Sequence, residues 1–242
     1  MILLLTALFF SIELQPVEFP STDRLMITGD LYMAHEEAAP FIVLFHQAGF
    51  SRGEYRELAP KLNKLGFNCL AIDQRSGEGV NGINNETATR AKEKNLPHTY
   101  LDAMIDLEAA VEFVRGKKAK GKLIVWGSSY SAALVLYLAG EKPEFADGVL
   151  AFSPGEYFER DGKTADYIQQ RAAKIKVPVF ITSALNEKTY WADIFKLISA
   201  EKEWFLPSSK GIHGSRALWE STPEHPVYWE AVKKFLERFT PK

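Results

Sequence analysis

Five consecutive residues, Gly127-Ser128-Ser129-Tyr130-Ser131, have types and a spacing that could do covalent chemistry. A serine hydroxyl is a weak nucleophile until a base takes its proton. It must also stand clear of its surroundings, so that a carbonyl carbon can reach it. A sharp turn from strand to helix meets both needs, provided small residues lie two before and two after the serine. Gly127 and Ser131 stand at those offsets from Ser129. The run Lys122-Leu123-Ile124-Val125-Trp126 reads as the strand leading in. Ala132 to Ala139, apolar on nearly every face and closed by Gly140, reads as a buried helix leading out. The N–H of Tyr130 then sits at a helix start, where the dipole favours an oxyanion. Ser128 and Ser131 compete for the nucleophile role by composition, and distance from the strand end selects Ser129. The plainer alternative is a serine that only caps a helix.

A serine of this kind needs a base. Histidine is suited, since its ordinary pKa lets it accept and return a proton near neutrality. Among five histidines, His213 lies in Gly211-Ile212-His213-Gly214, after the last apolar run and before the last amphipathic one. Its flanking glycines leave the ring unobstructed. His35 lies in a polar stretch, His98 in a long loop, and His225 opens a helix.

Two further segments add to the pattern: Phe45-His46-Gln47-Ala48-Gly49 after one strand, and Asp73-Gln74-Arg75-Ser76-Gly77 after the next. With the serine turn and the histidine loop they resemble the α/β-hydrolase family in element order over about residues 15–240. The closest shape is the small, capless, dienelactone-hydrolase-like group, which often uses cysteine where this chain has serine. The family usually has Gly at the place of Ser131. The resemblance implies a serine hydrolase that cleaves a small carboxylic ester through an acyl-enzyme intermediate. It implies Ser129 as nucleophile and His213 as base. The acid should follow the strand at 177–182, in the order Ser, acid, His. Glu187 is the nearby carboxylate, Asn186 stands close to the family's usual position, and Glu156 after the preceding strand is the alternative. Glu187 could instead cap the helix starting near Thr189. The oxyanion donors implied are the N–H of Tyr130 with that of Ala48 or Gln47, while His46 and the Asp73–Gly77 turn are structural. No metal or organic cofactor is implied.

These residues need a scaffold. Residues 14–33 hold two extended segments around Pro20-Ser21-Thr22-Asp23, an opening antiparallel hairpin. Phe41–Phe45, Phe67–Ile72, Gly148–Phe152, Val177–Ile181 and Trp204–Leu206 read as further strands. Ser51-x-x-Glu54 is a capping-box signature for a helix from Arg52 that carries Leu58, Leu62 and Leu65. Helices are also expected over 100–114, 165–174 and 190–199, and from Thr222-Pro223 to the end, with 74–98 a long polar loop. Strand–helix alternation predicts an α/β fold: a mostly parallel sheet with helices on both faces.

The chain has 242 residues, 46% hydrophobic and 25% charged, with a net charge of −2. That suits one hydrolase domain over residues 13–242 without a large cap. Neither nucleic acid nor an anionic membrane is implied as a partner. The single cysteine, Cys69, lies in an apolar run and reads as a buried thiol. Phenylalanine, tyrosine and tryptophan at 50, 130, 157 and 191 line an apolar acyl pocket or belong to the core. Ile2 to Phe10 is apolar except for Thr6, the length of a secretory signal's core but too short for an ordinary span. It lacks a basic start and a clear cleavage site. Residues 1–12 are therefore expected to be a signal or truncated signal that directs export, or else a first strand or an ordinary buried segment; the alternative location is cytoplasmic, and no membrane span is expected in the mature chain. Thioester, amide and peptide cleavage share the same residues, and a non-catalytic binding protein shares the same fold. Nucleotide-binding signatures are absent. Oligomeric state is not encoded in any of these features.

Overall fold

The computed structural model describes residues 13–240. The segment read as a signal, residues 1–12, lies outside them. Eight strands form one sheet in the order β1-β2-β4-β3-β7-β8-β9-β10. They are β1 Glu13–Pro20, β2 Met26–Met33, β3 Phe41–Phe45, β4 Asn68–Ile72, β7 Leu123–Ser128, β8 Gly148–Phe152, β9 Val179–Thr182 and β10 Lys202–Phe205. A two-residue pair, β5 Gly79–Val80 and β6 Ile83–Asn84, stands apart. β1 and β2 pair antiparallel, β2 meets β4 antiparallel, and every later neighbour in the main sheet is parallel. The fold is the α/β-hydrolase fold, with the expected opening hairpin.

The helices are α1 Leu58–Lys64, α2 Glu86–Glu93, α3 Met104–Lys117, α4 Tyr130–Glu141, α5 Gln169–Ala172, α6 Lys188–Leu197 and α7 His225–Leu236. Strand residues alternate between two cores, as a two-residue period requires. Phe41, Val43 and Phe45 of β3 join α3 and α4 on one face, while Ile42 and Leu44 join α1 and α7 on the other. β3 and β7 are buried along their whole lengths because both faces are covered. Helix α4 is buried almost all round, which explains its lack of a polar stripe.

Four local expectations differ from the structure. Residues 52–55 form a separate 3₁₀ turn before α1. Ser51 Oγ accepts the Gly53 N–H at 3.2 Å, but Glu54 does not reach back to complete a capping box. It turns inward to Gln47 and Ser128. The polar loop 74–98 contains β5, β6 and α2. Helix α2 is capped by Asn85, which accepts the Ala88 N–H at 2.7 Å. Its polar side chains dock on β2, where Thr87 Oγ1 accepts the Thr28 N–H at 3.0 Å. The helix expected over 165–174 shrinks to α5. The last helix starts at His225 with Pro226 in its first turn, while Thr222 Oγ1 donates to the Arg216 carbonyl.

Candidate active site

The turn from β7 into α4 is tight for a measurable reason. A Cβ on Gly127 would stand 2.3 Å from the Ser131 carbonyl oxygen, so only glycine fits. The turn puts Ser129 at φ 60°, ψ −120°. For a residue with a side chain that costs on the order of 1–3 kcal/mol, and such strain gathers at functional sites. Ser129 is 8% exposed and lines a cavity of about 560 Å³. The two competing serines are engaged elsewhere. Ser131 Oγ donates among the carbonyls of Phe45, His46 and Ser128, and Ser128 Oγ donates to Glu54 Oε1 at 2.7 Å.

His213 donates from Nδ1 to Glu187 Oε1 at 2.7 Å. A carboxylate only accepts, so this contact fixes the proton on Nδ1 and leaves Nε2 as the basic nitrogen. Burial pushes the Glu187 carboxyl up, but hydrogen bonds from His213 and Ser153 outweigh it and hold it below its usual range. Glu187 Oε2 accepts the Ser153 hydroxyl at 2.7 Å and the Ala184 N–H at 3.2 Å. Ser153 Oγ in turn accepts the Gly214 N–H at 2.9 Å. Ser153, at φ 55° just past β8, thus holds Glu187 and the histidine loop together. Sequence reading passed over it; the only local sign was Pro154-Gly155 after a strand end. The alternative carboxylate, Glu156, instead caps α5 by accepting the N–H groups of Ile168 and Gln169 at 2.8 and 2.9 Å. Asn186 is exposed.

The histidine loop packs on the serine turn. The Ser215 N–H donates to Ser128 Oγ at 2.9 Å, and a Cβ on Gly214 would meet that same oxygen at 2.6 Å. His213 and Ser129 are not hydrogen-bonded to each other, the looser geometry common before substrate binds.

The turn after β3 supplies backbone donors. The Gln47 N–H is taken by Glu54 Oε2 at 2.7 Å. The Gln47 carbonyl accepts from His46 Nδ1 at 2.8 Å and from the Phe50 N–H at 3.3 Å. Peptides here are trans, so N–H and C=O of one unit point opposite ways. Holding the Gln47 carbonyl aims the Ala48 N–H the other way, and Ala48 lines the cavity with Tyr130. His46 is fully buried, its Nε2 accepts the Gln74 N–H at 3.1 Å, and burial lowers its pKa to about 4. It is neutral and structural. Arg75 is buried against Asp106 at 2.8 Å and Asp23 at 2.7 Å, which anchors the following turn.

Tyr130 and Tyr157 line the cavity, and Tyr100 stacks on Tyr130 with ring centroids 4.6 Å apart. Phe50 instead stacks on Trp219, and Trp191 is buried with its indole N–H on Ser183. Cys69 is buried and its thiol pushed up by burial. Among the described residues no group of His, Cys, Asp and Glu is placed to hold a metal, and no helix is long and apolar enough to cross a membrane.

Residues 36–161, just over half of the chain, match the family described as serine aminopeptidase, S33. No curated protein matches. Among solved structures, an esterase of Pyrococcus furiosus is 20% identical with a TM-score of 0.69, over 95% of this chain and 94% of that one. A dienelactone hydrolase of Anabaena variabilis is 15% identical with a TM-score of 0.72, over 95% and 99%. An acetyl xylan esterase of Paenibacillus is 18% identical with a TM-score of 0.70, over 97% and 86%. At these identities the likeness is one of fold.

Proposed function

From the premise that this chain belongs to the serine aminopeptidase, S33 family of α/β-hydrolases and is a serine hydrolase, we propose that it cleaves a small carboxylic ester through an acyl-enzyme. Ser129 Oγ attacks the ester carbonyl, and His213 Nε2 takes its proton. Glu187 holds the imidazole by Nδ1 and stabilises its charged form. The oxyanion lies between the N–H groups of Ala48 and Tyr130. His213 returns the proton to the departing alcohol, and water repeats the sequence on the acyl-serine. The observation that carries this reading is the Glu187–His213 bond at 2.7 Å, which orients a base on the loop packed against the strained serine.

The cavity wall supports a short acyl group. Among the described residues no Leu, Ile, Val, Met, Phe or Trp lines it; its apolar surface comes from Ala48 and the rings of Tyr100, Tyr130 and Tyr157, and Ser76, Glu78, Lys92, Thr99, Arg160 and Asp161 complete the wall. A short acyl group can be covered by those rings, while a long alkyl chain would run past them onto the charged side chains, where it gains less. Several solved structures of the same fold are esterases, in keeping with this substrate class. The family's description favours a second reading, amide cleavage at a peptide end. A fluorophosphonate probe tests the nucleophile: it should label the wild type and leave Ser129→Ala unlabelled. p-Nitrophenyl esters of rising chain length and aminoacyl p-nitroanilides then separate the two substrate classes. Preference for the anilides, or for long acyl chains, would overturn the ester reading. Export directed by residues 1–12 is a further part of the proposal, supported by the apolar run from Ile2 to Phe10. N-terminal sequencing of exported protein tests it, and a mature chain beginning at Met1 would refute it.

A further inference from the structure

One carboxylate beside the site has no part in the steps above. Glu54, in the turn Arg52–Tyr55, is fully buried. It accepts the Gln47 N–H on one oxygen and the Ser128 hydroxyl on the other, both at 2.7 Å. Ser128 Oγ accepts the Ser215 N–H at 2.9 Å, and Ser215 Oγ accepts the Trp126 indole N–H at 2.9 Å. A single buried chain of hydrogen bonds therefore joins the turn after β3, the nucleophile turn, the histidine loop and β7. Among the described residues no cation pairs with Glu54. The ionisable groups facing it are Arg216 and His213 on the histidine loop and Tyr55 on its own turn. Burial pushes its carboxyl up to about 7, against the pull of Gln47 and Ser128.

A fully buried carboxyl with no direct ion pair is a costly way to hold a fold together, because an apolar side chain of similar size avoids the desolvation. Its contacts point to a use. Gln47 is clamped on both sides: Glu54 takes its N–H, which belongs to the 46–47 peptide, while His46 and Phe50 hold its carbonyl, which shares the 47–48 peptide with the Ala48 N–H. With both sides fixed, the next N–H, that of Ala48, has one direction left.

We propose that Glu54 is a positioning residue, which aims the Ala48 N–H at the oxyanion and, through Ser128, sets the height of the His213 loop over Ser129. The proposal rests on the ester-cleavage reading above. An oxyanion donor acts on the transition state more than on bound substrate. Loss of Glu54 should therefore lower kcat and leave KM in place. Ser128 belongs to the same path, so its loss should be smaller and should add nothing once Glu54 is gone.

The test uses the whole chain with p-nitrophenyl acetate, its active sites counted by fluorophosphonate titration. Glu54→Gln should not lower its Tm, should keep KM within twofold, and should lose at least tenfold in kcat per titrated site. Ser128→Ala should lose less, and the double variant should match Glu54→Gln alone. A purely structural residue would lower Tm or the fraction of titratable sites, with kcat per site unchanged. That result overturns the proposal, as does a change confined to KM. If Glu54→Gln does not fold, Ser128→Ala carries the test: unchanged kcat per site in that variant overturns the proposal and a selective loss supports it. Failure of the underlying reading looks different. Ser129→Ala would then keep activity and label, whatever Glu54→Gln does.

Discussion

The floor of the candidate site and its rim are built on opposite terms. On the floor, Glu54, Trp126, Ser128 and Ser215 are all 0% exposed, and each polar atom among them that the chain above describes has a partner. On the rim, Glu78, Lys92 and Arg160 are exposed and Tyr100 is 42% exposed. Among the described residues none of those three charged side chains is in an ion pair. A buried polar network is costly to break, because a lost partner strands a desolvated group. An exposed charge is cheap to exchange, because water replaces what it loses. The floor can therefore hold a geometry, and the rim can change its preferences without disturbing that geometry.

The comparison would break first at the residues proposed to react. Ser129→Ala should lower esterase turnover ~10⁴-fold or more with the protein still folded. His213→Ala should come close to that, and the double variant should be little worse, since coupled residues do not act additively. Additive losses in steady-state kinetics would count against direct cooperation between the two. Equal activity in Ser129→Ala, with loss in Ser131→Ala, would move the nucleophile.

A step outward, Glu187→Gln should lower kcat by less than loss of Ser129, short of it by roughly one to two powers of ten. Glutamine preserves size and an acceptor, so a large loss reports charge. Glu156→Gln is the matched control at the α5 cap, and its kcat should stay near wild type. The reverse outcome would place the acid on the loop after β8.

At the rim, Lys92→Ala and Tyr100→Ala should change KM by roughly two- to fivefold, the size of an exposed contact worth ~0.5–1 kcal/mol, with kcat unchanged. A tenfold fall in kcat from either would erase the distinction between rim and floor.

The last effect is a slope in stability and not a change in rate. The Glu54 carboxyl rises from 4.5 unfolded to about 7 folded. Between those values the folded state binds more protons than the unfolded one, so its contribution to stability falls as pH rises. It is present in full below about 4.5 and spent by about 7. Denaturant melts of wild type and Glu54→Gln across pH 4.5–7 should show wild type losing ground to the variant as pH rises. Parallel curves would mean that Glu54 titrates at its ordinary value.

Much of the scaffold was legible because its signals are local. The opening hairpin and the runs at 41–45, 67–72, 122–126 and 148–152 became strands within a residue or two. β3, β4, β7 and β8 are each a short, mainly apolar run that a two-sided sheet buries whole. Helix α2 was not legible, because its stability comes from docking polar side chains onto β2 and from the Asn85 cap rather than from an apolar stripe. Glu54 was absorbed into a capping box, since Ser-x-x-Glu is a valid local pattern. Only the distant acceptors and donors around it decide which way the carboxylate turns.

By itself the sequence determined what depends on neighbours along the chain. A strand, a glycine, a serine and an apolar helix in direct succession produce a strained turn at Ser129, because the backbone at that spacing has few other routes. The glycines around His213 likewise leave its ring free. Tertiary structure alone decided which oxygen meets which hydrogen. Glu54 and Ser128 are 74 residues apart, Ser128 and Ser215 are 87 apart, and Ser153 and Glu187 are 34 apart. No local pattern relates such pairs. They meet because the parallel sheet brings the carboxyl ends of β3, β7, β8 and β9 to one edge, where each loop's unpaired polar groups must find partners or remain buried without them.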